Sequence, residues 1–255
     1  MRFQRYRYED IHPSQFMDVR VPDGPGPYPV MVLIHGGFWR AEYDLELMDP
    51  MALDFTDRGL ATVNLEYRRT GDIGGAWPGT LLDIAKALNH LPTVAKETAL
   101  DLDHITLLGH SAGGHLALWI AGRHNVSPSS PLSGSLQISI ERVISLAGVT
   151  DLRAMWQVLH GASPVTDFMG GRPEDHPKRY DDTSPISLLP LGVPQVLIHG
   201  TEDNRVPIDQ SRKYLKQSQT LGDPVRLIEL DGVDHFQIIT PGSSAWNTVA
   251  AVALE

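Results

Sequence analysis

The sequence predicts an α/β fold: a mostly parallel, doubly wound sheet with helices on both faces and an antiparallel edge from the N-terminal segment. Three observations predict it. Runs rich in Val, Ile and Leu recur at 30–34, 61–65, 105–109, 142–147, 193–199 and 225–230. They are apolar without strict alternation, as strands covered on both faces are. Segments with apolar residues at helical spacing lie between them, and such β, α, β, α alternation makes parallel strands joined by crossover helices.

Each element has its own signal. In the first thirty residues Tyr, Phe and Arg alternate. A turn-rich stretch with Pro22, Gly24, Pro25, Gly26 and Pro27 follows. This reads as antiparallel edge strands with a turn. A helix over 45–58 stops at Gly59. A second, over 80–91, puts Leu81, Leu82, Ile84, Ala85 and Leu88 on one stripe. A third, over 112–121, is strongly apolar and ends at Gly122. A fourth, over 209–221, begins after Pro207. The last residues, 247–255, read as a helix packed on the sheet. Ser and Pro make 125–137 a loop. Residues 152–190 interrupt the alternation with a mixed, aromatic-bearing stretch. It reads either as a lid-like insertion or as a peripheral excursion. No repeat or linker divides the chain, so 1–255 is expected to be one domain.

Composition narrows the function. The 255 residues are 42% hydrophobic and 20% charged, which excludes disorder over most of the chain. Lys and Arg number 21 against 31 Asp and Glu, a net charge of −10. Such a chain repels phosphate backbones and anionic lipid, so neither nucleic acid nor a membrane is an expected partner. The apolar runs are too short to span a bilayer, and residues 1–8 lack the apolar core of a signal peptide, so a cytoplasmic location is expected. The absence of Cys excludes disulfides, thiolate metal sites and Cys nucleophiles.

Gly109-His110-Ser111-Ala112-Gly113 matches G-x-S-x-G. It follows an apolar strand and opens an apolar helix, the arrangement of a nucleophile elbow. The flanking glycines allow a tight turn, and Ser111 falls at a helix N-terminus, where N–H groups favour developing negative charge. The plain reading is a Gly-rich strand-to-helix turn. His35-Gly36-Gly37-Phe38-Trp39 follows the 30–34 strand. Its glycines expose backbone N–H groups that can hold an oxyanion; alone it reads equally as a turn with a packed aromatic pair.

A serine needs a base, oriented in turn by a carboxylate. His235 lies just after the last strand. Asp203 lies beyond the carboxyl end of the strand before it, where open α/β sheets carry their sites. The order Ser111, Asp203, His235 suits this elbow. Glu202, Asp231 and Asp234 are the rival acids. His110 is structural or pocket-lining, and His115 reads as packed. His12, His90, His104, His124, His160 and His176 read as surface or loop residues. No metal and no cofactor is expected: H-E-x-x-H is absent, and His110 and His115 are not an i,i+4 pair.

With these motifs in order, the chain resembles the α/β-hydrolase superfamily over nearly its full length. His-Gly-Gly-Phe-Trp is similar to the HGGxW motif of kynurenine formamidases (arylformamidases) and to the HGG motif of small carboxylesterases related to the hormone-sensitive-lipase group. Those lipases usually carry a third Gly where this chain has Phe38. The resemblance implies an oxyanion hole of the N–H groups of Gly37, Phe38 and Ala112, with Gly36 as a substitute. It implies a serine hydrolase acting on a small carboxylic ester or an N-formyl aryl amide through an acyl-serine. Trp39, Trp156, Phe168 and Phe236, with Phe38, are candidates for an aromatic substrate pocket, or else for core packing. A homodimer is compatible with this reading. The competing classes are a catalytically silent binding protein of the same fold and a small peptidase.

Overall fold

A computed structural model describes residues 1–161 and 163–255. Eight strands form one sheet: β1 (Arg2–Arg7), β2 (Phe16–Val21), β3 (Tyr28–Ile34), β4 (Ala61–Leu65), β5 (Leu100–His110), β6 (Arg142–Leu146), β7 (Gln195–Gly200) and β8 (Val225–Leu230). Their order across the sheet is β1-β2-β4-β3-β5-β6-β7-β8. β1 pairs antiparallel with β2, and β2 antiparallel with β4; all other pairs are parallel. The antiparallel edge and the six parallel strands are those the sequence predicts, with ends moved by a few residues.

The unbroken apolar runs have a direct explanation. In β3, Val30, Val32 and Ile34 join one core while Met31 and Leu33 join the other. In β7, Leu197 packs on the first side and Val196 and Ile198 on the second. Side chains alternate across the sheet, and both faces are covered, so successive positions in these runs are apolar. α2 (Gly79–Val94), α3 (Ala112–Ala121) and Tyr214 of α7 (Asp209–Thr220) share the first core. α1 (Asp49–Asp57) and α8 (Trp246–Ala253) share the second. All ten residues of α3 are buried, which accounts for its composition.

Two helices differ from expectation. The segment over 45–58 is a 3₁₀ turn, Leu45–Met48, followed by α1. Pro50 has no N–H to give to an earlier carbonyl, so it suits the first turn of a new helix rather than the middle of a longer one. α2 in contrast runs through Pro92 for one short turn beyond the expected end at Leu91.

Residues 152–190 hold three short helices, α4 (Leu152–Val158), α5 (Pro164–Met169) and α6 (Pro177–Thr183). Asp151 caps α4 by accepting from the Ala154 N–H at 3.0 Å, and Ser163 caps α5. Leu152, Met155, Val165, Phe168, Met169 and Tyr180 are fully buried in the first core. Ala162, within this stretch, lies outside the described residues. Among the described residues no helix is long and apolar enough to cross a membrane.

Candidate active site

Ser111 sits between the last residue of β5 and the first of α3, with φ 57° and ψ −119°. A non-glycine residue in this region stores of order 1–3 kcal/mol of strain, and such strain clusters at functional positions. Its surroundings hold it there. The Ser111 N–H donates to the Leu146 carbonyl at 2.8 Å, and its own carbonyl accepts from the His115 N–H at 3.1 Å. The motif glycines are demanded by close approach. A Cβ on Gly109 would strike the Gly113 carbonyl, and one on Gly113 would strike the Ile34 carbonyl. The elbow is thus wedged against the end of β3.

The loop after β3 lies directly on this elbow. A Cβ on Gly36 would stand 2.8 Å from the His110 carbonyl oxygen and 2.9 Å from Ser111 Cβ. Gly37 has φ +107°, and the Tyr43 side chain occupies the space its Cβ would need. Phe38 and Trp39 follow at φ 52° and 57°. Among the described residues no acceptor takes the N–H of Gly37, Phe38 or Ala112. His35 anchors the loop from beneath. Its ring is buried, stacks on Tyr67 at 4.3 Å, and faces Gly36 O at 2.8 Å and Glu66 Oε1 at 3.2 Å. Glu66 also accepts from the Leu45 and Tyr67 N–H groups and pairs with Arg69 at 3.1 Å. Burial works to raise the Glu66 carboxyl, but His35 and Arg69 outweigh it and hold it below the ordinary range.

His235 lies in the loop after β8, and Asp203 in the loop after β7. His235 Nδ1 is 2.6 Å from Asp203 Oδ2. Asp203 Oδ1 accepts the N–H groups of Arg205 at 2.8 Å and Val206 at 2.9 Å. Burial would raise the Asp203 carboxyl, yet the hydrogen bonds of His199 and His235 and those backbone donors hold it well below the usual range. The rival acids are engaged elsewhere or turned away. Asp234 Oδ1 accepts from the Phe236 and Gln237 N–H groups, each at 2.8 Å. Asp231 accepts from Thr201 Oγ1 at 3.3 Å, and Glu202 is exposed.

Ser111, His110 and His235 line one cavity of about 320 Å³, with Gly37, Phe38 and Phe236. Arg40, Glu42, Tyr43, Leu47, Asn204 and Arg205 line it too, and Leu159 and Pro164 bring the 152–190 stretch to it. A cleft of about 360 Å³ at the opposite end of the strands, between Thr106, Arg142 and Leu254, holds none of these groups. The carboxyl ends of the strands are where such sheets place their sites. Among the described residues no group of His, Asp and Glu is arranged to hold a metal ion.

Three of the five aromatic residues proposed for the pocket lie elsewhere. Trp39 is fully buried, stacked on Phe168 at 4.6 Å and edge-on to His115 at 5.2 Å. Its Nε1 donates to His115 Nδ1 at 3.2 Å. Phe168 is equally buried, and its carbonyl accepts from the Trp77 N–H at 2.8 Å. Trp156 is half-buried and donates to Thr166 Oγ1 at 3.0 Å within the 152–190 stretch. Positive φ at Phe38 and Trp39 reverses the chain, so Phe38 turns to the cavity and Trp39 to the core. Only Phe38 and Phe236 of the aromatic candidates line the cavity. The sequence reading misses Tyr43, Leu47, Leu159 and Pro164, which have no motif and reach the site only through the fold. His110 is a lining residue, and His115 is packed, with Nε2 facing the Thr183 carbonyl at 2.9 Å.

Comparison with known proteins agrees with this architecture. The family model described as BD-FAE matches residues 17–218. The chain is 26% identical over 235 residues to the probable carboxylic ester hydrolase LipM of Mycobacterium tuberculosis, covering 90% of this chain and 54% of that protein. It is 28% identical over 270 residues to the esterase LipC of the same organism, covering 98% and 64%. The chain therefore spans between half and two thirds of the length of these curated relatives. Among solved structures, a truncated form of a carbohydrate esterase from gut microbiota superposes with a TM-score of 0.84 at 21% identity, over 98% of this chain and 94% of that one. The fold expected from the resemblance, that of the α/β hydrolases, is the fold observed.

Proposed function

Since the chain belongs to the BD-FAE family, we propose that it is a serine hydrolase of small carboxylic esters, working through an acyl-serine. The observation that carries this reading is the strained Ser111 elbow opening into the same cavity as His235, whose ring is tied to Asp203.

The chemistry follows from these groups. Ser111 Oγ attacks the ester carbonyl carbon, and His235 Nε2 takes the hydroxyl proton. Asp203 keeps the other ring nitrogen protonated and stabilises the imidazolium. The N–H groups of Gly37, Phe38 and Ala112 hold the tetrahedral oxyanion. Collapse expels the alcohol, which receives the proton from His235. Water, deprotonated by His235, then attacks the acyl-serine carbonyl and releases the acid, restoring Ser111. The cavity of about 320 Å³ is near the small end of the range for small-molecule sites, so a short acyl or aryl ester suits it. The names of LipM and LipC, an ester hydrolase and an esterase, support an ester. The HGGxW motif does not argue for an aryl formamide, because Trp39 packs under the loop and away from the cavity.

The test compares kcat/KM for p-nitrophenyl acetate and N-formylkynurenine, with Ser111→Ala as control. The reading predicts ester turnover, little formamide turnover, and a loss on the order of 10⁶ in kcat for the variant. A strong preference for the formyl amide would move the substrate class to aryl formamides and leave the mechanism intact.

A further inference from the structure

We propose that His199 is a positioning residue for this reaction, a second histidine that fixes the carboxylate of Asp203 on the side facing His235. The inference rests on the reading of Ser111, His235 and Asp203 given above, and it goes beyond the three.

His199 sits in β7 opposite Glu229 of β8, and its side chain is fully buried. Its Nδ1 is 2.8 Å from Ser211 Oγ on α7. Its Nε2 is 2.9 Å from the Val206 carbonyl and 3.3 Å from Asp203 Oδ2. Both neighbours of Nε2 can only accept, so Nε2 carries the proton; it donates to the Val206 carbonyl and leaves the positive end of the N–H beside Asp203 Oδ2. Nδ1 then accepts from the Ser211 hydroxyl. This network sets the tautomer of His199.

Asp203 is thereby held at both oxygens. Oδ1 takes two backbone N–H groups, Oδ2 takes a ring N–H from His235, and the Nε2–H of His199, donated to the Val206 carbonyl, lies with its nitrogen 3.3 Å from the same Oδ2. With the backbone donors alone, the carboxylate can pivot about Oδ1 and swing Oδ2 away from the base. His199 blocks that motion. It also draws negative charge from Oδ2, so less of it stabilises the imidazolium of His235. Of the other charged groups nearby, Arg40 (paired with Asp167), Glu42 and Arg205 face His235 from the cavity side and are the same in every variant compared. Glu229 pairs with Arg212 at 2.6 Å, Asp234 caps the turn of Phe236 and Gln237, and His110 is kept neutral by burial.

The direction of the effect follows. Without the His199 donor, Asp203 holds more charge against His235, the imidazolium is favoured, and neutral base exists only at higher pH. In His199→Leu, kcat for p-nitrophenyl acetate should fall roughly 10- to 100-fold, the range for losing an outer partner that orients a working group. KM should stay within about twofold, and the acidic limb of the kcat/KM profile should move to higher pH. His199→Gln keeps an N–H near the Nε2 position and should restore most of kcat and the wild-type limb. If His199→Leu does not fold, Ser211→Ala decides: it removes only the hydroxyl that holds Nδ1, and a smaller shift of the limb in the same direction is expected. An unmoved limb in the folded variant, or equal losses in Leu and Gln without a shift, would overturn the proposal. Failure of the underlying reading has a different signature: Ser111→Ala would then be as active as the wild type.

Discussion

His110 donates its Nε2–H to the main-chain carbonyl of His235 at 2.9 Å, and the two rings lie 4.5 Å apart. The residue before Ser111 therefore holds the loop that bears His235. Burial first, and the nearby His235 second, push the His110 ring down to about 3, so it stays neutral with its proton on Nε2.

Replacing His110 by Leu should leave the His235 carbonyl without its donor, at a cost of about 1–3 kcal/mol in urea unfolding. Turnover of p-nitrophenyl acetate should fall as well. His110→Gln, which can reach the same carbonyl, should recover much of both. Stability and rate equal to wild type in His110→Leu would remove this role.

The division between cavity and core at the Phe38-Trp39 pair is testable by contrast with Phe236. Trp39 is fully buried, so Trp39→Ala should cost about 3–5 kcal/mol. Phe236 is 44% exposed on the cavity, so Phe236→Ala should change stability by no more than about 0.5 kcal/mol while altering KM. Reversed behaviour of the two variants would put Trp39 at the substrate.

Gly37 is the sharpest probe of the proposed oxyanion loop. Its φ of +107° and the crowding by Tyr43 leave no room for a methyl group. Gly37→Ala should displace the loop and lower kcat by on the order of 10²–10³, the effect of losing one donor to the oxyanion. The fluorescence-monitored fold should persist. Unchanged kcat in a folded variant would mean that this loop does not hold the oxyanion.

Two buried histidines set an acid-side dependence of stability. His110 is pushed down to about 3 and His115 to about 4, in both cases mainly by burial. In the unfolded chain both take protons near the ordinary value of 6.5. Their contribution is therefore complete above about pH 6.5 and is lost as pH falls toward 4, because the unfolded state then binds protons that the folded state refuses. Each histidine should add up to about 1.4 kcal/mol per pH unit to the slope. Urea unfolding at several pH values between 7 and 4.5 measures it. His115→Gln should lower the slope by one histidine's share, and an unaltered slope would contradict the assignment.

Much of the fold is legible in the sequence because both sheet faces are covered. An unbroken run such as 30–34 has no other stable use here, and its two sets of side chains enter two cores. Ser111, Asp203 and His235 are legible for a related reason. Each stands just beyond a strand end that the alternation of elements locates, and the parallel strands β5, β7 and β8 bring those ends to the same, carboxyl end of the sheet. The cavity wall is not legible. Leu159, Pro164 and Tyr43 arrive from segments whose path depends on tertiary packing, and Trp39 is turned inward by a local φ that residue type does not announce. The break at Pro50 is a local signal that helical spacing alone overrides.

The most direct test of the account is to treat the folded protein with a fluorophosphonate and map the adduct by mass spectrometry. The account predicts one adduct per chain, on Ser111, formed in step with the loss of ester hydrolysis. A folded, ester-hydrolysing protein that stays unlabelled, or that carries the adduct on another serine, would contradict it.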